Sequence, residues 1–166
     1  MKTVTRFILL AAAAMMVSSA SAYAQATATA NVTVTAQIGA SAKLDLGGVT
    51  EVIFANADPD AFPVISASAI NVTAKAKTSQ GSTVTLAISA DGPLTDGGAT
   101  IAESNIDWLA SGAGFQAGTL AQTDVTLGSW TNSGQHAGTQ TYRLQNSWSY
   151  ATGDYQLLVT YTLTAP

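Results

Sequence analysis

Asp154-Tyr155-Gln156-Leu157-Leu158-Val159-Thr160-Tyr161-Thr162-Leu163-Thr164-Ala165-Pro166 carries Tyr155, Leu157, Val159, Tyr161 and Leu163 on every second position. Gln156, Thr160, Thr162 and Thr164 take the alternate positions, with Leu158 the one exception. A period of two is the mark of a strand with one face in a core and the other in water. Near the other end, Ala28, Ala30, Val32, Val34, Ala36 and Ile38 alternate in the same way with Thr27, Thr29, Asn31, Thr33, Thr35 and Gln37. Both ends are therefore expected to be amphipathic strands, and the chain between them is read from that starting point.

Residues 1–24 have a different character. Lys2 and Arg6 precede an apolar run from Phe7 to Val17, and small residues lead to Ala22-Tyr23-Ala24. A basic start, an apolar stretch too short to span a bilayer and an A-x-A site predict a secretory signal peptide cut after Ala24. Residues 25–166 then form a single expected domain, long enough to bury most of the surface of its unfolded chain. No membrane span is expected once the signal is removed. Residues 25–166 hold four basic side chains (Lys43, Lys75, Lys77, Arg143) against ten acidic ones, a net charge of −6. Nucleic acid is excluded on that balance, because phosphate binding needs clustered Lys and Arg, and so is docking on an anionic membrane face. The chain has no cysteine, which removes disulfides, thiolate metal sites, redox chemistry and a lipoprotein anchor. Stability has to come from packing and strand pairing, in a chain whose Thr and Val content suits pleated surfaces.

Taken in order, residues 28–38 predict a first strand and Lys43-Leu44-Asp45-Leu46 a short second one before the Gly47-Gly48 turn. Glu51-Val52-Ile53-Phe54 reads as a brief strand, followed by a loop over residues 56–63 that holds Pro59 and Pro63. Ile70, Val72, Ala74 and Ala76 share one face of the next strand, residues 78–82 are expected to close a hairpin, and Val84, Leu86, Ile88 and Ala90 return. Asn105 to Leu109 and Val125 to Trp130 are further strands. Residues 132–138 are read as a turn, Tyr142 and Leu144 mark another strand, and residues 145–153 form an aromatic loop. The sum is an all-β, immunoglobulin-like Greek-key β-sandwich of seven to nine strands.

Few residues point to chemistry. Asp58-Pro59-Asp60 has oxygen ligands for calcium but lacks the glycine and distal glutamate of an EF-hand, and Asx-turn capping explains it more simply. His136 is the sole histidine and stands in a Gly-rich setting with no nucleophile elbow. No spacing selects an acid pair for glycoside cleavage. The chain is accordingly expected not to be an enzyme and to carry no cofactor and no metal. Trp148 and Tyr150, in Gln145-Asn146-Ser147-Trp148-Ser149-Tyr150, are the candidate ligand-binding residues, since flat aromatic faces beside amides can stack on sugars. Trp108, Trp130 and Phe115 are weighed with them, although tryptophans of small sandwiches more often lie in the core.

The ends carry the functional expectation. Val32, Val34 and Ile38 at one end and Tyr155, Leu157, Val159, Tyr161 and Leu163 at the other can pair within one molecule or between molecules, the second being β-augmentation of the donor-strand type. At these ends the chain resembles the cysteine-free pilin subunits of chaperone-usher fimbriae. Residues 31–38 are similar to their N-terminal donor strand and residues 153–163 to their closing strand. The resemblance implies an incomplete immunoglobulin-like fold, a periplasmic chaperone and usher, and assembly into surface fibres. Tyr161-Thr162-Leu163-Thr164-Ala165-Pro166 also resembles the end of WxL-type cell-surface domains, with Tyr161 where tryptophan is usual and with the second tryptophan motif absent at Trp108-Leu109; it implies non-covalent cell-wall binding. The expected protein is thus a secreted structural or adhesive surface protein, a pilin-like fibre subunit self-associating through its terminal strands, in the periplasm, outside the cell or on its surface. The alternative is a monomeric module that binds glycan or cell wall.

Overall fold

Eleven strands and one 3-10 turn account for the regular structure of the computed structural model, which describes residues 30–166. The expected signal peptide and residues 28 and 29 of the first expected strand lie outside the described residues. The compact body runs over Gln37–Pro166, and residues 30–36 belong to a separate unit. Among the described residues no helix is long and apolar enough to cross a membrane.

The strands are β1 (Ser41–Asp45), β2 (Val64–Ser66), β3 (Ile70–Lys77), β4 (Thr83–Ala90), β5 (Leu94–Asp96), β6 (Ala99–Ile101), β7 (Ile106–Ser111), β8 (Gly118–Thr119), β9 (Val125–Thr131), β10 (Gly134–Gln145) and β11 (Val159–Thr164). One sheet has the order β1-β3-β10-β7-β8, with β2 also on β10; the other has the order β11-β4-β9; β5 and β6 form a small hairpin. Every pairing of these strands is antiparallel. This is the expected all-β sandwich, with more strands than the seven to nine predicted because several are only two or three residues long.

The core follows from alternation. Ile70, Val72, Ala74 and Ala76 of β3 and Val84, Leu86, Ile88 and Ala90 of β4 are buried, and Ile106, Trp108, Tyr142 and Leu144 extend the same core. The ladder between β4 and β9 shifts register at Leu86/Ala87. An extra residue there changes the inward phase of β9, so that Leu127 and Trp130, one odd and one even, are both buried.

Four expectations are corrected. The first is the hairpin at residues 78–82: β3 and β4 have the expected lengths but lie in different sheets, so the turn is an arch that carries the chain across the core. Apolar alternation is identical whether two strands lie side by side or face each other. The second is the turn at residues 132–138. Only Asn132 and Ser133 separate β9 from β10, and they form a parallel arch laced to the first. Asn132, in the left-handed region at φ 71°, accepts from the Gly81 amide at 2.6 Å, and Ser133 Oγ accepts from the Thr78 amide at 2.9 Å.

The third is the strand at Glu51 to Phe54, which is irregular with alternate residues half-buried; among the described residues it finds no partner strand. The fourth concerns residues 28–38. From Ala30 to Ala40 the chain forms no strand and every residue is exposed. The alternation is present in the sequence, but no ladder satisfies it.

Candidate functional site

β11 is the outer strand of its three-stranded sheet, paired with β4 on one side only. Its expected length is cut short. Tyr155 to Leu158 precede the strand and are tied instead to β5 and to the segment between β4 and β5: Gln156 exchanges backbone hydrogen bonds with Thr95, and the Leu158 amide donates to Asp91 Oδ1 at 2.9 Å. Leu158 keeps the outward phase of Gln156 and Thr160 and is exposed, so the one break in the alternation is an apolar side chain left in water.

The apolar face of this segment is only partly covered. Tyr155, Leu157, Val159, Tyr161 and Leu163 pack against the core but stay half-exposed, unlike the buried faces of β3 and β4. β1, the outer strand of the other sheet, runs along the same margin, with Leu44 and Leu46 half-buried beside it. Among the described residues the two sheets thus end together in an open apolar seam, with no strand on the outer edge of β11. Natural edge strands are commonly guarded by Lys, Pro or inward charge. Val159-Thr160-Tyr161-Thr162-Leu163-Thr164 has none of these.

Behind the seam lies a polar network that the sequence reading missed. Gln140, on the inward phase of β10, is fully buried. Tyr161 Oη donates to Gln140 Oε1 at 2.7 Å, and the Tyr142 hydroxyl meets Tyr161 Oη at 2.9 Å. The network links the two sheets across the core. Its only advance signal is a glutamine in phase with Tyr142 and Leu144.

Burial raises both tyrosine hydroxyls above their ordinary range, desolvation being the main cause, with Tyr142 raising Tyr161 further. The folded values lie above the unfolded value of about 10, so this contribution to stability is complete below about pH 10 and is lost as the pH rises further and the unfolded chain ionises first. The urea unfolding midpoint should fall between about pH 9 and pH 11, and fall less in Tyr161→Phe. A flat midpoint in the parent protein over that range would contradict the placement of these hydroxyls.

The other sequence-predicted residues fall elsewhere. Val32, Val34 and Ile38 are 85%, 90% and 77% exposed. Trp148 is 69% exposed, Tyr150 is half-buried against the core, and Trp108 and Trp130 are interior. Trp148 Nε1 donates to Asp60 Oδ1 at 3.1 Å, while Asn146 Nδ2 donates to the Ala57 and Phe62 carbonyls, each at 3.0 Å. The aromatic loop is thereby stapled to the Pro-containing loop, and Phe62 is also exposed there. Asp58 Oδ1 accepts from the Asp60 amide at 2.9 Å, which is Asx-turn geometry. Among the described residues no three His, Asp or Glu side chains converge. His136 stacks on Trp130, ring centroids 4.6 Å apart.

No family model matches the chain, and no curated protein matches it. Among solved structures, one of a chaperone-usher pilus, described as revealing the molecular basis of rod uncoiling, aligns at a TM-score of 0.39 and 13% identity, covering 84% of this chain and 96% of that one. A likeness at that score carries no argument about function. The functional reading rests on the seam and the exposed segment.

Proposed function

We propose that this chain is a secreted, non-enzymatic subunit of a surface fibre, in which residues 28–38 of one copy add as a strand to β11 of the next. One observation carries the reading: an alternating segment with exposed Val32, Val34 and Ile38 coexists with a half-covered apolar strand whose outer edge has no partner strand among the described residues. The two need the same thing. An added strand satisfies backbone groups on both and takes apolar side chains out of water, at about 1.5–3 kcal/mol for each fully buried Val or Ile. Residues 25–38 contain no charge, Pro or Gly, which leaves their pairing unobstructed. Before assembly such an edge needs cover during export, a role suited to a periplasmic chaperone.

The protein should give a ladder of detergent-resistant oligomers on unheated gels that collapses to monomer on boiling. Val34→Arg should abolish the ladder while leaving the unfolding midpoint of the unassembled monomer unchanged, since Val34 lies outside the body over Gln37–Pro166. A ladder that survives Val34→Arg refutes the reading.

A second reading has its own observation: Trp148 is held exposed by Asp60 on a stapled loop, an arrangement suited to stacking on a sugar ring of a glycan or cell wall. Retention on a cell-wall glycan column that is lost in Trp148→Ala supports it, and retention unchanged in that variant removes it.

A further inference from the structure

Three of the four basic residues of residues 25–166 fall on one patch. Lys43 of β1 stands directly opposite Lys75 of β3, and Lys77 stands opposite Ser41. All three are exposed on the outward phase of the sheet. Like charges placed directly opposite across a ladder are destabilising, and among the described residues no ion pair forms with any of the three. Among the described residues the single ion pair is Arg143 with Asp107, and the nearby Asp45 turns Oδ1 to the Gly47 amide at 2.8 Å. In so acidic a chain an unneutralised lysine patch calls for an anionic partner.

The position of the patch narrows that partner. Lys77 lines a shallow depression with Ile38, Gly39, Ala40, Thr78 and Pro166. This pole of the body is where the exposed segment departs and where β11 ends. At the opposite pole, about 23 Å away along the eight residues of β4, β11 begins among carboxylates. Asp91 bonds the Leu158 amide, and Asp96 Oδ2 accepts from the Asp154 amide. Asp91 and Asp154 are exposed, Asp96 is partly so, and their hydrogen-bond partners here are neutral amides.

Resting on the fibre reading above, we propose that the Lys43, Lys75 and Lys77 pole of one copy docks on the Asp91, Asp96 and Asp154 pole of the next, so that charge sets the polarity of the fibre. If the incoming segment runs antiparallel to β11, its Ile38 end arrives where β11 begins, and the lysines of its own body meet the three aspartates. If it runs parallel, lysine pole meets lysine pole and the contact is repulsive. Complementary charge steers encounter and suppresses the wrong arrangement even where it adds little to final affinity.

Full-length mature subunits diluted out of urea should assemble more slowly as ionic strength rises. Lys75→Glu/Lys77→Glu should slow assembly at least tenfold at low salt and scarcely at high salt. Adding Asp91→Asn/Asp154→Lys to the same chain should restore most of the rate, because Asp91→Asn removes the charge and keeps an oxygen acceptor for the Leu158 amide. A salt-independent rate in the parent protein overturns the proposal without any variant. So does a lysine variant that assembles normally, including one that has lost binding to polyphosphate, or a combined variant no faster than the lysine variant alone. Loss of the ladder in Val34→Arg with no response to charge leaves the fibre reading intact and refutes only the docking of the poles.

Discussion

A chain lacking residues 25–37 should run as a single monomer band, heated or not, with an unfolding midpoint equal to that of the parent's unassembled monomer and below that of its oligomers. The body over Gln37–Pro166 is compact by itself, and none of its buried core residues lies in the deleted stretch. Assembly as proposed, in contrast, would lose a whole strand. Val32 and Val34 alone, at about 1.5–3 kcal/mol each when fully buried, amount to a loss on the order of 100-fold or more in association. The ladder hydrogen bonds along the edge of β11 go with them, each worth about 1 kcal/mol net. A deletion that leaves the oligomer ladder in place would mean that the copies meet through some other surface.

The largest single-residue effect on folding is expected at Trp108. Its side chain is 1% exposed, and its Nε1 donates to the Gln116 carbonyl at 2.9 Å. Its ring meets Tyr142 edge-on, centroids 6.5 Å apart, and lies so close to Gly118 that a Cβ there would stand 2.5 Å from Cζ2. Trp108→Ala empties a site walled by strands of the larger sheet and should cost about 3–5 kcal/mol. That is a large share of the stability of a domain of this size. Trp108→Phe should cost less, since it keeps much of the contact and gives up the hydrogen bond. Urea unfolding of the three proteins gives the comparison, and a loss below about 1 kcal/mol in Trp108→Ala would contradict the packing described.

Period-two alternation identified the inward faces of β3 and β4 and placed Tyr161 and Leu163 on the core side of β11. It could not say which strands lie side by side. The arches at residues 78–82 and at Asn132-Ser133 were therefore read as a hairpin and a long turn. The bulge that buries both Leu127 and Trp130 breaks the very period used to find it. Glu51 to Phe54 alternates without a partner, because strand formation needs a neighbouring edge as well as a pattern. Gln140 looked like any polar strand residue until the sheets closed over it. The lysine patch was hidden for another reason: Lys43 and Lys75 are distant in sequence and meet only through the register of β1 on β3.

Absence of native cysteine allows the central claim to be tested by crosslinking. Thr33→Cys and Thr35→Cys in the terminal segment can each be mixed with Thr160→Cys or Thr162→Cys in β11, all four positions lying on the polar phase where the core is undisturbed. Oxidation of mixtures of the single variants should yield disulfide-linked dimers joining one segment variant to one β11 variant, while chains carrying both changes should yield longer ladders. Crosslinking confined within single molecules in the doubly substituted chains, or absent from every pairing, would contradict assembly through the terminal strands.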